Sequence, residues 1–275
     1  MVHSYYIFQQ TLYTIYRNPI LMLMPLLGFI ISVTTEVIFI SGLYDNNNFD
    51  YFPFSNVLVT TLFFIGFAIT YIQLVIIRKI ILKKRLKDNT SVFRVEILIL
   101  FIIYSIYALV LIQMGGYESD IRKRYVKESD RFSLYAVKLK NHSDLISVAP
   151  DAVNIVLLST IFSLIFHSWM VAAISRYKNM NIHVLYESLK DVIGIITKSK
   201  GHESQLKRIA FLFLFTLTIS AAGFIFSNIS VIPFVSTLGL YLFQFVISNV
   251  IIALYWPFFL VCLFFIILPN YSLSQ

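Results

Sequence analysis

Apolar residues in this chain come in long unbroken runs separated by short polar connections. This is the pattern of helices that cross a hydrocarbon layer. Runs at 19–43, 55–77, 95–114, 152–175 and 209–227 are each long enough to span about 30 Å. A sixth run, 234–268, is too long for one upright crossing, because as a straight helix it would reach about 52 Å. The expected solution places 234–245 in or dipping into the interface, with 247–268 crossing. A kink at Pro257 is the alternative. The predicted fold is all-α, a polytopic transmembrane helix bundle of six spanning helices in a single integral membrane domain.

Two other stretches have helical periodicity without uniform greasiness. Residues 1–17 place Phe8, Leu12 and Ile15 on one side, with Gln9, Thr14 and Arg17 toward the other. That predicts an in-plane elbow helix on the membrane surface. Asn18-Pro19 then turns the chain, with Asn as N-cap and Pro at the first helical position of the first span. In 179–200, Val184 or Leu185, Leu189, Val192 and Ile196 recur at helical spacing, and Glu187, Lys190, Asp191 and Lys198 take the opposite face. This reads as a second, cytoplasmic in-plane helix. The 115–151 connection is expected to be an external loop. It opens on Gly115-Gly116, a helix stop, and carries a solvated helix of mixed charge.

Composition agrees with a membrane solvent. The chain is 58% hydrophobic and 13% charged, against about 25% charged residues in soluble domains. Net charge is +8. The basic residues sit between apolar runs, where they fix topology and meet anionic headgroups, so nucleic acid is not an expected partner. Alternate sides of the predicted bundle hold fifteen and seven Lys and Arg. The richer side should be cytoplasmic, with both termini on it, most simply in the cell membrane. The lone Cys262 permits no intramolecular disulfide.

Catalytic and metal motifs are missing. No HExxH, GxSxG, Gly-rich phosphate loop or Cys/His cluster occurs. No enzyme activity, metal or cofactor is expected. What remains is polarity inside the spans, which is costly in lipid. Glu36, Gln73 and Gln113 are candidate intramembrane sites, as are Ser159, Ser163 and His167 at i, i+4 and i+8 on the fourth run. Glu36 is either a cation- or proton-responsive carboxylate in a cavity or an outer-leaflet acid that snorkels, and the second reading carries more weight. The serine–histidine stripe suits a pathway wall or, better, a helix–helix contact. Depth along the helices suggests two polar layers, Glu36 with Gln113 and His167 with Gln73. Trp169 and Trp256 are expected in the interfacial belt. Arg78, Lys79, Lys83, Lys84, Arg85 and Lys87 form a cytoplasmic docking or headgroup-binding cluster.

The elbow, Arg17-Asn18-Pro19 and the stretch 231–246 resemble the membrane subunits of type-2 ABC exporters. Those have an in-plane helix, a basic-Asn/Asp-Pro turn, six spans and a re-entrant piece before the last. The long 115–151 connection and the large one between the fourth and fifth runs depart from that pattern. The chain looks about as similar to uncharacterised multi-span bacterial families with the same elbow. The resemblance implies a permease-like or transport-accessory subunit, with any ATPase supplied by a separate partner or other membrane subunit. A membrane scaffold, assembly or immunity-type protein is the alternative. A lipid-modifying enzyme with a headgroup pocket at Arg78, Lys79 and Glu96 is the third.

Overall fold

A computed structural model describes residues 2–45, 55–82, 90–125, 142–176, 181–197, 203–228 and 237–268. All regular structure among them is helical. In chain order the helices are α1 (Val2–Arg17), α2 (Leu23–Asp45), α3 (Ser55–Leu82), α4 (Thr90–Tyr125), α5 (His142–Ser175), α6 (His183–Ile196), α7 (Glu203–Asn228) and α8 (Thr237–Ile267). A single 3-10 turn, Pro19–Met22, joins α1 to α2.

Four helical stretches among the described residues are long and apolar enough to cross a membrane: Thr60–Leu82, Val92–Leu111, Val156–Ser175 and Val250–Ile267. A fifth is reached if Tyr5–Arg17 and Pro19–Thr34, bent by 95° at their junction, count as one broken span. The protein is therefore a helical integral membrane protein by length and composition. The expected count of six is not reached on these residues.

The bend has a local cause. Pro19 has no N–H to donate back into α1, so the α1 ladder stops there. Asn18 does not cap the following helix as expected. Its Nδ2 donates back to the Thr14 carbonyl at 2.8 Å, closing the end of α1. The inward face of α1 keeps two of its three expected apolar residues. Ile7 and Thr11 are buried, Phe8 and Ile15 pack beside them, and Leu12 is exposed. Phe8 is held edge-on by Phe211, Phe215 and Phe258 at 5.0, 5.3 and 5.0 Å. Helix α1 thus lies across α7 and α8, while Tyr5, Tyr13 and Tyr16 face outward.

The described core gathers at one end of the bundle. The start of α2, the end of α3, the start of α4 and the end of α5 meet there. So do the start of α7 and the end of α8. Leu21, Leu74, Ile77, Ile103, Leu212 and Leu260 have no exposed surface. Helix α6 seals this end against α5. Of the expected face, Val184 and Val192 are buried and Leu185 and Leu189 pack against the core, but the face is rotated so that Ser188 and Ile195 are buried and Ile196 is exposed. Trp169 explains the shift. Its indole Nε1 donates to the Leu185 carbonyl and the Ser188 Oγ, each at 3.1 Å, and this draws the Ser188 edge inward. Trp169 is a buried pin, then, and not part of an interfacial belt.

Two helices overrun their expected limits. Helix α4 continues through Gly115-Gly116 to Tyr125, and α5 begins at His142. Much of the expected external loop is therefore helix, and 126–141 lies outside the described residues. Two helical glycines cost about 1 kcal/mol each relative to alanine, too little to stop a helix carried by neighbours on both sides. Helix α8 runs unbroken from Thr237 through Pro257, so no separate interfacial piece precedes it over that range. At 31 residues it is about 46 Å long and must tilt or project beyond a layer of about 30 Å.

Candidate functional site

Three polar features and one cleft lie within the described spans. The first is a charge pair at the packed end. Tyr71 and Arg78 stand seven residues apart on one face of α3, toward Glu96 on α4. An Arg78 guanidinium nitrogen donates to Glu96 Oε2 at 2.6 Å, and the Tyr71 hydroxyl donates to Glu96 Oε1 at 3.1 Å. The same guanidinium nitrogen reaches the Ile174 carbonyl at the end of α5, at 3.4 Å. Arg78 is 3% exposed and Glu96 1%. Such a pair persists out of water only when further hydrogen bonds satisfy it, as Tyr71 and Ile174 do here. Arg78 is therefore not available for docking, contrary to expectation. Lys79 beside it is exposed, and Lys83, Lys84, Arg85 and Lys87 lie outside the described residues.

The second feature ties α3 to the elbow. Gln73 is fully buried, and its Nε2 donates to the Leu21 carbonyl at 2.9 Å. Its Oε1 meets no partner among the described residues. Leu21 lies in the 3-10 turn, where carbonyls lack α-helical partners. At the same end, Gln205 Nε2 donates to the Ile266 carbonyl at 3.3 Å and ties α7 to α8.

His167 is the third. It lies two turns into α5 from the packed end and is 1% exposed. Its Nδ1 is 2.6 Å from the Ser163 carbonyl and 3.2 Å from the Ser163 Oγ. A carbonyl only accepts, so Nδ1 carries the proton. Trp256, Tyr107 and Phe259 surround the ring edge-on at 4.6, 5.1 and 5.7 Å. Trp256 was expected in the interfacial belt and instead closes this cage. Ser159 of the stripe turns back on its own helix, its Oγ donating to the Val156 carbonyl, and Ser175 further along α5 does the same to the Ala172 carbonyl. Hydroxyls satisfied this way in lipid do not present a polar wall to a solute.

The cleft lies between α2, α3 and α8 and has a volume of about 490 Å³. Gly28, Ile65, Gly66, Ile69, Tyr104 and Trp256 are among its lining. It is largely apolar and opens to the side of the bundle.

The two expected polar layers are not assembled among the described side chains. Gln73 and His167 are both buried but bond to different partners. Gln113 is exposed, and the Glu36 side chain lies outside the described set. No group of three His, Cys, Asp or Glu side chains that could hold a metal occurs among the described residues. Cys262 is buried and unpaired with another cysteine. The pairing of Arg78 with Glu96 was missed in sequence. Its one signal is a lone acid, Glu96, set in the apolar run VEILILF. No family model, no curated protein and no solved structure matches this chain.

Proposed function

We propose that this chain is a non-enzymatic membrane protein that crosses the bilayer six times and acts through contacts between its helices and partners. Among the classes considered, this is the scaffold, assembly or immunity type. The observation that carries it is the closure of the deep polar groups. Among the described residues Arg78 bonds to Glu96, the Gln73 amide nitrogen to the Leu21 carbonyl and His167 to Ser163 within an aromatic cage, while Gln73 Oε1 meets no partner. A solute path needs such groups to face an aqueous cavity.

Six crossings are supported by the way helix ends alternate. The start of α2, end of α3, start of α4, end of α5, start of α7 and end of α8 share the packed end, as an up-and-down chain requires. The described basic residues at that end, among them Arg17, Lys79, Arg94 and Arg176, favour a cytoplasmic location for it and for both tails. Anionic headgroups are the natural neighbours of these cations.

A permease-like or transport-accessory subunit with a separate ATPase partner is the second reading, favoured by the lateral cleft of about 490 Å³. The lipid-modifying enzyme loses ground, because one guanidinium nitrogen of Arg78 and one oxygen of Glu96 are bound to each other at 2.6 Å in a buried seam instead of framing a headgroup pocket. The test is reconstitution into sealed vesicles. The contact-acting reading expects proton and potassium permeability equal to that of empty vesicles. A flux that scales with protein would overturn it. Reporter tags on the two tails are expected on the same, cytoplasmic face.

A further inference from the structure

We propose that the cleft between α2, α3 and α8 is a binding site for one hydrocarbon tail of a bilayer lipid. The inference does not depend on which functional reading holds, because it concerns what fills the cleft.

Depth is the first argument. Thr70 in the cleft lies twelve residues from Leu82, about 18 Å along α3 from the packed end, and Trp256 lies about 17 Å from the end of α8. Both helices contribute stretches apolar enough to cross a membrane. The cleft therefore sits at the level of the hydrocarbon layer, where the surrounding medium is acyl chain. The second argument is the lining. It is dominated by aliphatic and aromatic side chains, with Ser32, Thr70 and Tyr104 as its few polar members. A volume of about 490 Å³ is that of an ordinary small-ligand pocket, which spans about 300–1,000 Å³.

The third argument decides between a lipid tail and a helix from a second copy. Helices approach closely in membranes where small residues offer their backbone to a partner. Two glycines line this cleft, and one of them is already used within the fold. A Cβ on Gly66 would collide with the Tyr104 hydroxyl, and one on Gly28 would meet Ile69 Cδ1 at 3.7 Å. Gly66 is thus closed by α4, whereas Gly28 makes only an ordinary contact with α3 and stays open to the cleft. A helix with side chains is about 10–12 Å across, so a cleft of about 490 Å³ holds only about one turn of it, and Gly28 alone is little bare backbone to seat against. A single tail is slimmer and needs none. It would lie on Trp256, which also meets the His167 ring at 4.6 Å and the Phe259 ring at 5.9 Å.

Trp256 supplies the readout. The protein is purified from bilayers containing phosphatidylcholine brominated at mid-chain, then washed in unbrominated detergent. Trp256 emission is taken as the difference between the chain and its Trp256→Phe variant. Native mass spectrometry counts retained lipid. The expected result is persistent quenching of Trp256 and one retained lipid per chain. Ala253→Leu and Gly28→Leu, which fill the cleft from α8 and α2, should each lose both signals while remaining helical and monodisperse. Recovery of full Trp256 emission on washing would overturn the proposal. So would equal lipid retention in the folded variants. A wild-type dimer that either variant dissociates would mean that a second copy, not a tail, occupies the cleft. If neither variant folds, the wash on the unmodified protein decides alone.

Discussion

Arg78 and Glu96 are the acid and base that the described fold takes out of water together. Removing water from two charges costs several kcal/mol per ion, and their attraction offsets this only with good geometry and added hydrogen bonds. The pair is therefore asymmetric under mutation. Arg78→Met alone should destabilise by about 3–5 kcal/mol, because it strands Glu96 in an apolar seam. Replacing both, with Arg78→Met and Glu96→Leu, should recover most of that loss. Thermal unfolding in mild detergent reads both. A double variant as unstable as the single one would show that the pair is not a self-contained unit. The pair was illegible in sequence for a physical reason. Arg78 ends an apolar run beside Lys79, and a cation there normally reaches to the headgroups. Only the position of Glu96, eighteen residues on, turns it inward. Gln73, by contrast, could be read as inward-facing because nothing at its depth rewards exposure.

Helices α1 and α6 were legible as amphipathic, and most expected apolar positions do face inward, but the centre of each buried face was not legible. Periodicity tells which residues share a side, not what covers that side. For α6 the nearest competitor is the next row around the helix, and Trp169 selects it through Leu185 and Ser188. Trp169→Phe removes the donor and part of the ring volume. It should cost about 2 kcal/mol and speed amide exchange across 183–196 more than in α5. Uniform exchange in the two helices would remove the pinning role. Arg176 adds a looser tie to α6, pairing with Glu187 at 2.8 Å and with Asp191, all partly exposed and so worth little. For α1 the decisive residue is Phe8, which three phenyl rings hold against α7 and α8. Phe8→Ala should cost about 3 kcal/mol and make α1 the first site of proteolytic nicking. Nicking elsewhere first would place the anchor of the elbow in another residue. The bend itself was legible, because Asn18-Pro19 admits few other readings. The partner of Asn18 was not, since the end of α1 and the start of the next turn both offer it unpaired backbone groups.

The whole molecule has a bundle end whose helices are clasped by polar tethers running between distant parts of the sequence. Leu21 to Gln73, Arg78 to Ile174 and Gln205 to Ile266 each bridge 52 or more residues. A single sequence carries the greasy runs openly, because each run must satisfy the membrane by itself. It carries the tethers hardly at all, because each needs two residues whose spacing in the chain is arbitrary. The helix ends were harder still. Gly115-Gly116 and the start of α8 read as boundaries, yet the helices run through them. The account turns on the clasped end being dry as far as His167. Cysteine labelling tests this most directly, in a Cys262→Ala background, with a membrane-impermeant maleimide applied to open membranes. Lys79→Cys should react readily and Ser163→Cys should stay unmodified. Reaction of Ser163→Cys at a rate comparable to Lys79→Cys would mean that water reaches the histidine cage, and would contradict the account.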